Sequence, residues 1–473
     1  MTVITTEFKM TINGLLVTTK QKVPVINPAN EKIISHVPKA TKEHLNTAVK
    51  AAKESFQKWC ELSENERQAK LEAFADALHQ HREEIAELFT LEMGRPYHLA
   101  LIEVDGSVAT CRALSKMRLK AEILDEKEDH VVERYYSPLG VAGLIIPWNF
   151  PVSIAIRKIT SALMTGNTVV VKPSPYTPLT MLRIGEIASN LFPPGVLNVV
   201  TGENELGEWM TNHPDIDKIS FTGSSATGKK VMQGAAANLK RITLELGGND
   251  AAIVMEDAVP KELVEPIFWA AFRNTAQVCI ATKRLYVHEN IYDEFLSELI
   301  EFAKKIKIGD GFNSETQLGP IQNKMQFEKV KELIEETKKS GAKIAFEGEI
   351  EDRPGYFVPI TIIDNPPEDS RVVVEEAFGP VLPVIKYSNY DEAVEKANNT
   401  HYGLAGSVWG KDLKLARSIA DRLHTGTVWI NEAQVLFPHV SFGGHKESGL
   451  GLENGLDGLR EYTNSKTIMM KKI

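Results

Sequence analysis

Cysteine is scarce in this sequence of 473 residues, which holds only Cys60, Cys111 and Cys279, far apart along the chain. Three scattered cysteines exclude a disulfide framework and a cysteine-rich structural zinc site. Basic residues are also in deficit, because 54 Lys and Arg stand against 63 Asp and Glu, for a formal net charge of −9. That sign is wrong for a surface that binds phosphate backbones, so we do not expect a nucleic-acid partner.

Long apolar runs are missing as well. The first ten residues, MTVITTEFKM, contain no basic segment followed by an apolar run. The most apolar stretches, such as 141–147, are far shorter than the roughly 18 residues that a bilayer span needs. We therefore expect a cytoplasmic protein with no membrane partner. The sequence also lacks G-x-G-x-x-G, so a nicotinamide cofactor would have to be bound by an arrangement other than the usual dinucleotide fingerprint.

The composition is that of a globular protein, with 43% hydrophobic, 25% charged and 7% aromatic residues. From 41 to 59 the apolar residues recur every three or four positions, which predicts an amphipathic helix. Ser63 and Glu66 form a capping box that predicts the start of a second helix, running to Met93 with Gly94 as its stop. The N-terminal fifth is thus predicted to be largely helical.

Beyond these helices the chain changes to short apolar runs that close with Gly, Pro or Asn. The runs are VAGLIIPWNFP, NTVVVKPSP, GVLNVVTG, DKISFTGS and DAAIVMED, followed later by RLYVHE, KIAFEG and GTVWIN. Most are followed by a helical pattern, which predicts βαβ units in two successive α/β regions, the first ending near Gly247. Two charged, β-branched segments, 122–140 and 461–473, have the pattern of exposed ribbons that pair with each other or with another subunit.

The segment KISFTGSSATGKK nearly matches a phosphate-binding loop. Gly223 and Lys229 fit G-x-x-x-x-G-K after a strand, and the apolar run that ends at Asp257 resembles the acidic strand of a nucleotide hydrolase. The match fails at Lys230, where such a loop needs Ser or Thr to bind the metal. What remains is a glycine turn and a helix N-terminus with Ser224 in its first turn, which is either an anion site or an ordinary βα turn.

Three polar residues stand where a regular pattern ends. Cys279 follows a helical pattern that fails at Phe272, and it would need a general base or a helix dipole to act as a nucleophile. Glu245 ends a strand before a Gly-Gly turn and is either such a base or an acid paired with a lysine. Asn149, held between the prolines of PWNFP, is either an oxyanion donor or a turn residue. Cys60 and Cys111 lie in helical patterns, where a cysteine is typically a small buried side chain.

Taken together, these segments resemble the NAD(P)-dependent aldehyde dehydrogenase superfamily over nearly the whole chain. The motifs that carry the resemblance are PWNFP at 147–151, VVVKPS at 169–174, SFTGS at 220–224, LELGGN at 244–249, NTAQVC at 274–279, EEAFGP at 375–380 and FGGHKESGLG at 442–451. They occur in the family's order, which is far more specific than any one motif.

The resemblance implies an α/β fold with a doubly wound cofactor-binding domain, an α/β catalytic domain and a small β arm for oligomerisation. It places the NAD(P)-binding domain at 1–119 and 139–245, the catalytic domain at 246–453, and the oligomerisation arm at 120–138 and 454–473. The expected ligands are an aldehyde and NAD, with NADP not excluded, and no metal is expected. The arm implies a homodimer or a homotetramer.

By position in the motifs, the resemblance implies that Cys279 is the nucleophile, Glu245 the base that activates the hydrolytic water, and Asn149 an oxyanion donor together with the backbone N–H of Cys279. The implied cofactor contacts are Lys172 at the adenosine ribose, Ser224 at the pyrophosphate, Glu376 and Phe378 at the nicotinamide ribose and ring, and Gly223 and Trp148 as further contacts. In this cycle the thiolate attacks the aldehyde, hydride passes to the nicotinamide, and water hydrolyses the thioester to release the acid.

Three residues depart from the family pattern or extend it. Ala276 replaces a glycine that the cysteine motif usually has, which predicts a tighter turn. Pro175 stands where many NAD-specific relatives carry a Glu that binds the ribose hydroxyls, so the choice between NAD and NADP stays open. Arg157 is a candidate contact for the carboxylate of a semialdehyde, or else it binds backbone carbonyls or a neighbouring acid.

Two alternatives to the hydrolytic enzyme have to be weighed. Acyl transfer to coenzyme A needs no water-activating carboxylate, so Glu245 counts against it. A binding protein without activity would be expected to lack Cys279 or Glu245, and both are present.

Overall fold

The computed structural model describes residues 7–472. Residues 1–6, part of the predicted cofactor-binding domain, and residue 473, the end of the predicted arm, lie outside the described residues. Within the described range, no helix is both long enough and apolar enough to cross a bilayer.

The first 40 residues contain strands, so the helical prediction for the N-terminal fifth is wrong for this part. The strands are β1 (Met10–Ile12), β2 (Leu15–Val17), β3 (Lys22–Asn27) and β4 (Lys32–Pro38). β1 and β2 form an antiparallel hairpin whose turn residues Asn13 and Gly14 have φ angles of 54° and 75°. Asn-Gly is the usual sequence of such a turn, so the signal was present in the sequence.

The predicted helices follow directly. They are α1 (Lys42–Cys60), α2 (Glu64–Gln80), α3 (Arg82–Met93) and α4 (Tyr97–Ser115). The capping box of Ser63 and Glu66 is confirmed, and so is the stop at Gly94, whose φ is 85°. The sequence predicts one long helix between Ser63 and Gly94, whereas the structure has two, α2 and α3, because the helix is interrupted at His81.

The first α/β region contains the elements β5 (Glu122–Glu126), β6 (His130–Pro138), β7 (Val141–Ile145), α5 (Pro151–Met164), β8 (Thr168–Lys172), α6 (Leu179–Ser189), β9 (Leu197–Val199), α7 (Asn204–Asn212), β10 (Lys218–Thr222), α8 (Ser225–Ala236) and β11 (Arg241–Glu245). β7, β8, β9, β10 and β11 form the parallel centre of a sheet with the order β11-β10-β7-β8-β9, which β1 and β2 extend on the β9 side. The strand order reverses between β7 and β10, and such a switch point is where open α/β sheets bind ligands.

The second region begins directly after β11. Its elements are β12 (Asp250–Val254), α9 (Pro260–Phe272), β13 (Thr282–His288), α10 (Tyr292–Ala303), α11 (Lys324–Lys339), β14 (Lys343–Glu347), β15 (Thr361–Asp364), α12 (Arg371–Val374), β16 (Val381–Tyr387), α13 (Tyr390–Asn398), β17 (Ala405–Trp409), α14 (Leu413–Ala420), β18 (Thr427–Ile430), β19 (Gly449–Leu450), α15 (Gly455–Arg460) and β20 (Thr463–Lys471). The second sheet has the order β14-β15-β16-β13-β12-β17-β18 and is parallel except for β14. The two predicted α/β regions are therefore confirmed, whereas the exact domain boundaries stay predictions.

The two ribbon-like segments pair with each other. β20 lies antiparallel to β6 over nine residue pairs, from Thr463↔Pro138 to Lys471↔His130, and β5 completes a three-stranded sheet. Ile123 and Met469 of this arm are 62% and 78% exposed. Before reaching the arm, the chain crosses back to the first sheet, where β19 pairs with β11.

Gly94 connects α3 to the segment that precedes α4 and should tolerate no side chain. A Cβ there would lie 2.5 Å from Cγ of Pro320 and 2.9 Å from Cγ of Pro28, in a backbone conformation that favours glycine. We expect Gly94→Ala to lower stability by about 2–4 kcal/mol, because strain and overlap with rigid rings add. The measurement is the thermal unfolding midpoint.

Gly106 provides the matched control for that variant. It lies inside α4, and nothing is within 4 Å of the place that a Cβ would take, so Gly106→Ala should stabilise the protein by about 0.5–1 kcal/mol. Equal midpoints for the two variants would contradict the role of the left-handed turn at Gly94.

Candidate active site

The carboxyl edge of the first sheet faces the amino edge of the second, and the residues singled out by sequence lie along this seam. Glu245 is the last residue of β11, Asn149 follows β7, and Cys279 precedes β13. The two edges touch at Gly248, where a Cβ would lie 2.7 Å from the carbonyl oxygen of Cys279. The seam therefore brings the thiol-bearing loop against the turn that follows Glu245.

A rare backbone conformation shapes the loop before Cys279. Asn274, Thr275 and Ala276 have φ angles of 55°, 56° and 59°, three consecutive left-handed residues of which none is glycine. Hydrogen bonds hold this turn, since Thr275 Oγ1 donates to the carbonyl of Gly319 at 2.8 Å and Gln277 Nε2 donates to the carbonyl of Asn274 at 3.0 Å. Ala276 thus adopts a conformation that costs an L-residue free energy, which agrees with the tighter turn expected there.

The thiol of Cys279 is half-buried, in a loop whose neighbouring residues are buried. Burial raises its pKa to about 12, and the charges of Glu245, Asp250 and Glu376 act in the same direction, whereas the ammonium of Lys283 lowers it. The thiol is therefore neutral near pH 7 in the free protein and needs a base to become a nucleophile.

The other two cysteines differ from each other. Cys111 is fully buried in α4, as predicted, and burial raises its pKa to about 11. The prediction of burial is wrong for Cys60, which is partly exposed because it is the last residue of α1. Its Sγ donates to the carbonyl of Gln57 at 3.2 Å.

Glu245 has the environment of a poised acid–base group. Its side chain is buried, and neither carboxyl oxygen has a hydrogen-bond partner in the part of the chain that the structure describes. Its pKa is raised well above the usual value by burial and by the charge of Glu453. The backbone around it is held by the returning chain, because Glu245 pairs with Gly449 and Ser448 Oγ donates to the carbonyl of Gly247 at 2.6 Å. Backbone pairing, not a side-chain partner, sets the position of the carboxyl group.

Sequence reasoning missed the buried ion cluster behind Glu245. Lys158 of α5 donates to the carboxylate of Glu453 and, at 2.7 Å, to Ser220 Oγ. Arg157 lies beside it, with a terminal guanidinium nitrogen 3.6 Å from Glu453 Oε2. The only sequence signal for Glu453 was its position two residues after the FGGHKESGLG motif.

Asn149 is linked directly to the loop of the thiol. Its buried side-chain amide donates to the backbone carbonyl of Gln277 at 2.9 Å, and the backbone carbonyl of Asn149 accepts from Asn274 Nδ2 at 3.3 Å. An amide nitrogen carries two N–H groups, so this bond leaves one for a ligand.

The residues expected to contact the adenosine and pyrophosphate lie at the carboxyl ends of β8 and β10. Lys172 is buried, donates to the carbonyl of Pro173 at 3.3 Å, and has a pKa lowered to about 8 by burial. Ser224 is the N-cap of the twelve-residue helix α8, and the N–H of Gly223 donates to the carbonyl of Glu245 at 3.0 Å. An exposed helix N-terminus fits the phosphates of a dinucleotide.

The residues expected near the nicotinamide lie closer to the thiol. The rings of Trp148 and Phe378 meet edge to face with centroids 5.4 Å apart, and Glu376 Oε1 accepts from the N–H of Gly248 at 3.1 Å. Lys229, the lysine of the phosphate-loop-like segment, is not one of these contacts, because its ammonium forms an ion pair with Glu447 at 2.8 Å. Across residues 7–472, no group of three or more His, Cys, Asp and Glu side chains could hold a metal ion.

Comparison with known proteins identifies the family. The model of the aldehyde dehydrogenase family matches residues 16–468. The chain belongs to the aldehyde dehydrogenase family. It is 40% identical over 468 residues to a probable aldehyde dehydrogenase of Pseudomonas sp., covering 98% of this chain and 95% of the relative. It is 40% identical over 467 residues to a chloroplastic betaine aldehyde dehydrogenase of Beta vulgaris, covering 95% and 93%.

A solved structure agrees with this assignment. The NAD⁺ complex of an aldehyde dehydrogenase from Bacillus cereus superimposes with a TM-score of 0.96 at 37% identity, covering 99% of this chain and 97% of that one. The predicted family, fold class and enzyme class are confirmed, and with them the oxidation of an aldehyde to its acid with NAD(P). The nucleotide-hydrolase alternative is therefore set aside.

The raised pKa of Cys279 makes a measurable prediction for this aldehyde dehydrogenase. Below the pKa of a thiol the thiolate fraction rises about tenfold per pH unit. We expect the rate at which iodoacetamide alkylates Cys279 in the free protein to follow that slope from pH 7 to pH 9. Mass spectrometry of the Cys279 peptide gives the rate, with the partly exposed Cys60 as internal reference, and a plateau below pH 9 would contradict the prediction.

Proposed function

We propose that the aldehyde dehydrogenase works through a covalent thioester on Cys279, with Glu245 as the general base and Asn149 as an oxyanion donor. The placement of a half-buried thiol near a buried carboxyl group, whose two oxygens have no hydrogen-bond partner among the described residues, supports the proposal. A carboxyl group that makes no hydrogen bond is ready to take a proton from the thiol or from water.

In the first half of the cycle, Sγ of Cys279 forms a bond to the aldehyde carbon and gives up its proton to a base. The carbonyl oxygen becomes an oxyanion, which the second N–H of Asn149 and the backbone N–H of Cys279 stabilise. Bound NAD(P)⁺ supplies the acceptor for the hydride that leaves the carbon. The protein is left with a thioester on Cys279.

In the second half, Glu245 takes a proton from water, and the hydroxide attacks the thioester carbon. The C–S bond breaks, the acid leaves, and Sγ regains a proton. Because burial raises the pKa of Glu245, its ionised fraction rises at higher pH than for an ordinary glutamate. The acid limb of the pH profile for hydrolysis should therefore lie above the usual carboxylate range. Acyl transfer to coenzyme A, the alternative, has no need of this carboxylate.

The cofactor contacts are part of the same proposal. Lys172 would bind the adenosine ribose, because it ends β8 at the carboxyl edge of the first sheet. Gly223 and Ser224 would bind the pyrophosphate, because they lie at the same edge, after β10 and at the N-terminus of α8. At the nicotinamide end, the proposed contacts are Trp148, Glu376 and Phe378. Pro175 offers no carboxylate to a ribose hydroxyl, so NAD with NADP not excluded remains the proposed cofactor choice.

We also propose that the protein is a homodimer or homotetramer of the cytoplasm. The exposed Ile123 and Met469 on the arm support self-association, because apolar side chains on an open three-stranded sheet favour contact with another copy. Relatives with cytosolic, mitochondrial and chloroplastic names are about equally similar to the chain, so the cytoplasmic location rests on the sequence.

Glu245→Gln should separate the two halves of the cycle. The variant can still form the thioester, so we expect a burst of reduced cofactor near one equivalent per active site, followed by turnover slower by roughly 10²–10⁴, the range for loss of a general base. Stopped-flow absorbance of the reduced cofactor measures both phases. Cys279→Ala should abolish burst and turnover while Cys60→Ala keeps them, and a Glu245→Gln variant with no burst but normal thioester hydrolysis would contradict the assignment.

Arg157 is a proposed substrate contact for an aldehyde that carries a carboxylate. Within residues 7–472 its Nε is buried without a partner, which supports this role, whereas its ion pair with Glu453 supports the alternative of a purely structural arginine. If Arg157 binds substrate, Arg157→Leu should lower kcat/KM more for an anionic semialdehyde than for a neutral aldehyde of equal length. The difference should correspond to about 1.5–3 kcal/mol of transition-state stabilisation. Equal losses on the two substrates, measured by steady-state kinetics, would assign Arg157 to support of the loop.

A further inference from the structure

Lys283, the second residue of β13, is a buried cation beside the thiol-bearing loop that neither the sequence motifs nor the proposed cycle uses. Its side chain is 5% exposed. The ammonium donates to the carbonyl of Cys279 at 2.7 Å and to the carbonyl of Val278 at 3.0 Å. It also lies 3.5 Å from Glu376 Oε1, on the segment proposed to hold the nicotinamide ribose.

This ammonium therefore joins two parts of the active site that come from different elements. Cys279 precedes β13, whereas Glu376 follows α12, nearly a hundred residues further along the chain. The same Oε1 atom accepts from the N–H of Gly248, in the turn that follows Glu245. The ammonium of Lys283 thus contacts both the loop that carries Cys279 and the carboxylate of Glu376. That carboxylate in turn accepts a hydrogen bond from the turn after Glu245.

The positive charge of Lys283 matters because three acidic groups near the thiol act against a thiolate. Glu245, Asp250 and Glu376 all disfavour a thiolate at Cys279, whereas Lys283 favours it. Arg284, the next residue, faces away, because its guanidinium donates to the carbonyls of Asn249, Lys396 and Ala397. In a buried site a nearby charge acts through a low dielectric, so one ammonium has a large effect.

We propose that Lys283 is an electrostatic positioning residue, which stabilises the thiolate of Cys279 and holds the carboxylate of Glu376 in place for the cofactor. The proposal rests on the proposed roles of Cys279 and Glu376. Its function is the charge and not the hydrogen bonds alone, because backbone carbonyls could be satisfied by a neutral donor.

Alkylation of Cys279 by iodoacetamide in the free protein tests the charge without any turnover. Lys283→Gln keeps a donor for the carbonyls and removes the charge, so alkylation at pH 8 should slow by about tenfold, the effect of one pKa unit on the thiolate fraction. Lys283→Met should give a similar loss. A loosened loop would instead expose the thiol and speed the reaction, which separates electrostatics from damage to the fold.

Lys240 provides a matched control. It is also buried, and its ammonium donates to the carbonyls of His213 and Ile216, in the first α/β region and away from the thiol-bearing loop. Lys240→Gln should leave the alkylation rate of Cys279 unchanged. An alkylation rate for Lys283→Gln equal to that of the unmodified protein, or an equal slowing in Lys240→Gln, would overturn the proposal.

Glu376→Gln gives an independent variant with the opposite sign. It removes a carboxylate that opposes the thiolate and frees the ammonium of Lys283, so alkylation of Cys279 should become several-fold faster. NAD⁺ binding, followed by quenching of tryptophan fluorescence, should weaken several-fold in Lys283→Gln and not in Lys240→Gln. Because neither readout needs an aldehyde, failure here is distinguishable from failure of the thioester cycle, which the activity of Cys279→Ala reports.

Discussion

A contact between two backbone segments at the seam of the sheets governs the geometry of the active site. Gly248 lies so close to the carbonyl of Cys279 that a Cβ would come within 2.7 Å of it, and a Cβ on Gly247 would overlap a carboxylate oxygen of Glu376. Two glycines in succession therefore let three functional segments meet at one turn. The position of Glu245 follows, because it is the last strand residue before that turn.

Burial at this seam has an energetic consequence for Glu245. Its pKa is raised in the folded protein, so the folded state binds its proton more tightly than the unfolded state does. The free energy of unfolding contributed by this group is thus highest below the unfolded pKa and falls as pH rises toward the folded pKa. Lys158 and Arg157 would oppose this shift, but Glu453 lies between these cations and pairs with both. The cluster thereby leaves Glu245 outside a salt bridge, as its proposed role as a base requires.

The sequence motifs were sufficient to find the residues that end strands and open loops. Glu245, Asn149 and Cys279 could be assigned to one candidate site because the order of the motifs predicts their roles and the strand pattern predicts their sheet edges. The Asn13-Gly14 hairpin was readable from its dipeptide yet was overlooked beside the stronger helical pattern. The contacts of Lys158 could not be read in this way, because Glu453 is 295 residues away in sequence and no periodicity links them.

The thiol of Cys279 needs a nearby cation even with the carboxyl group of Glu245 in the same site. Burial raises the pKa values of both Cys279 and Glu245, so the site disfavours negative charge on either group. Loss of the proton from Sγ places a thiolate near Glu245, Asp250 and Glu376, in a setting that disfavours negative charge. A positive charge fixed at the carbonyl of Cys279 lowers the cost of that deprotonation. Lys283 occupies this position because the backbone carbonyls at the end of the loop hold its ammonium.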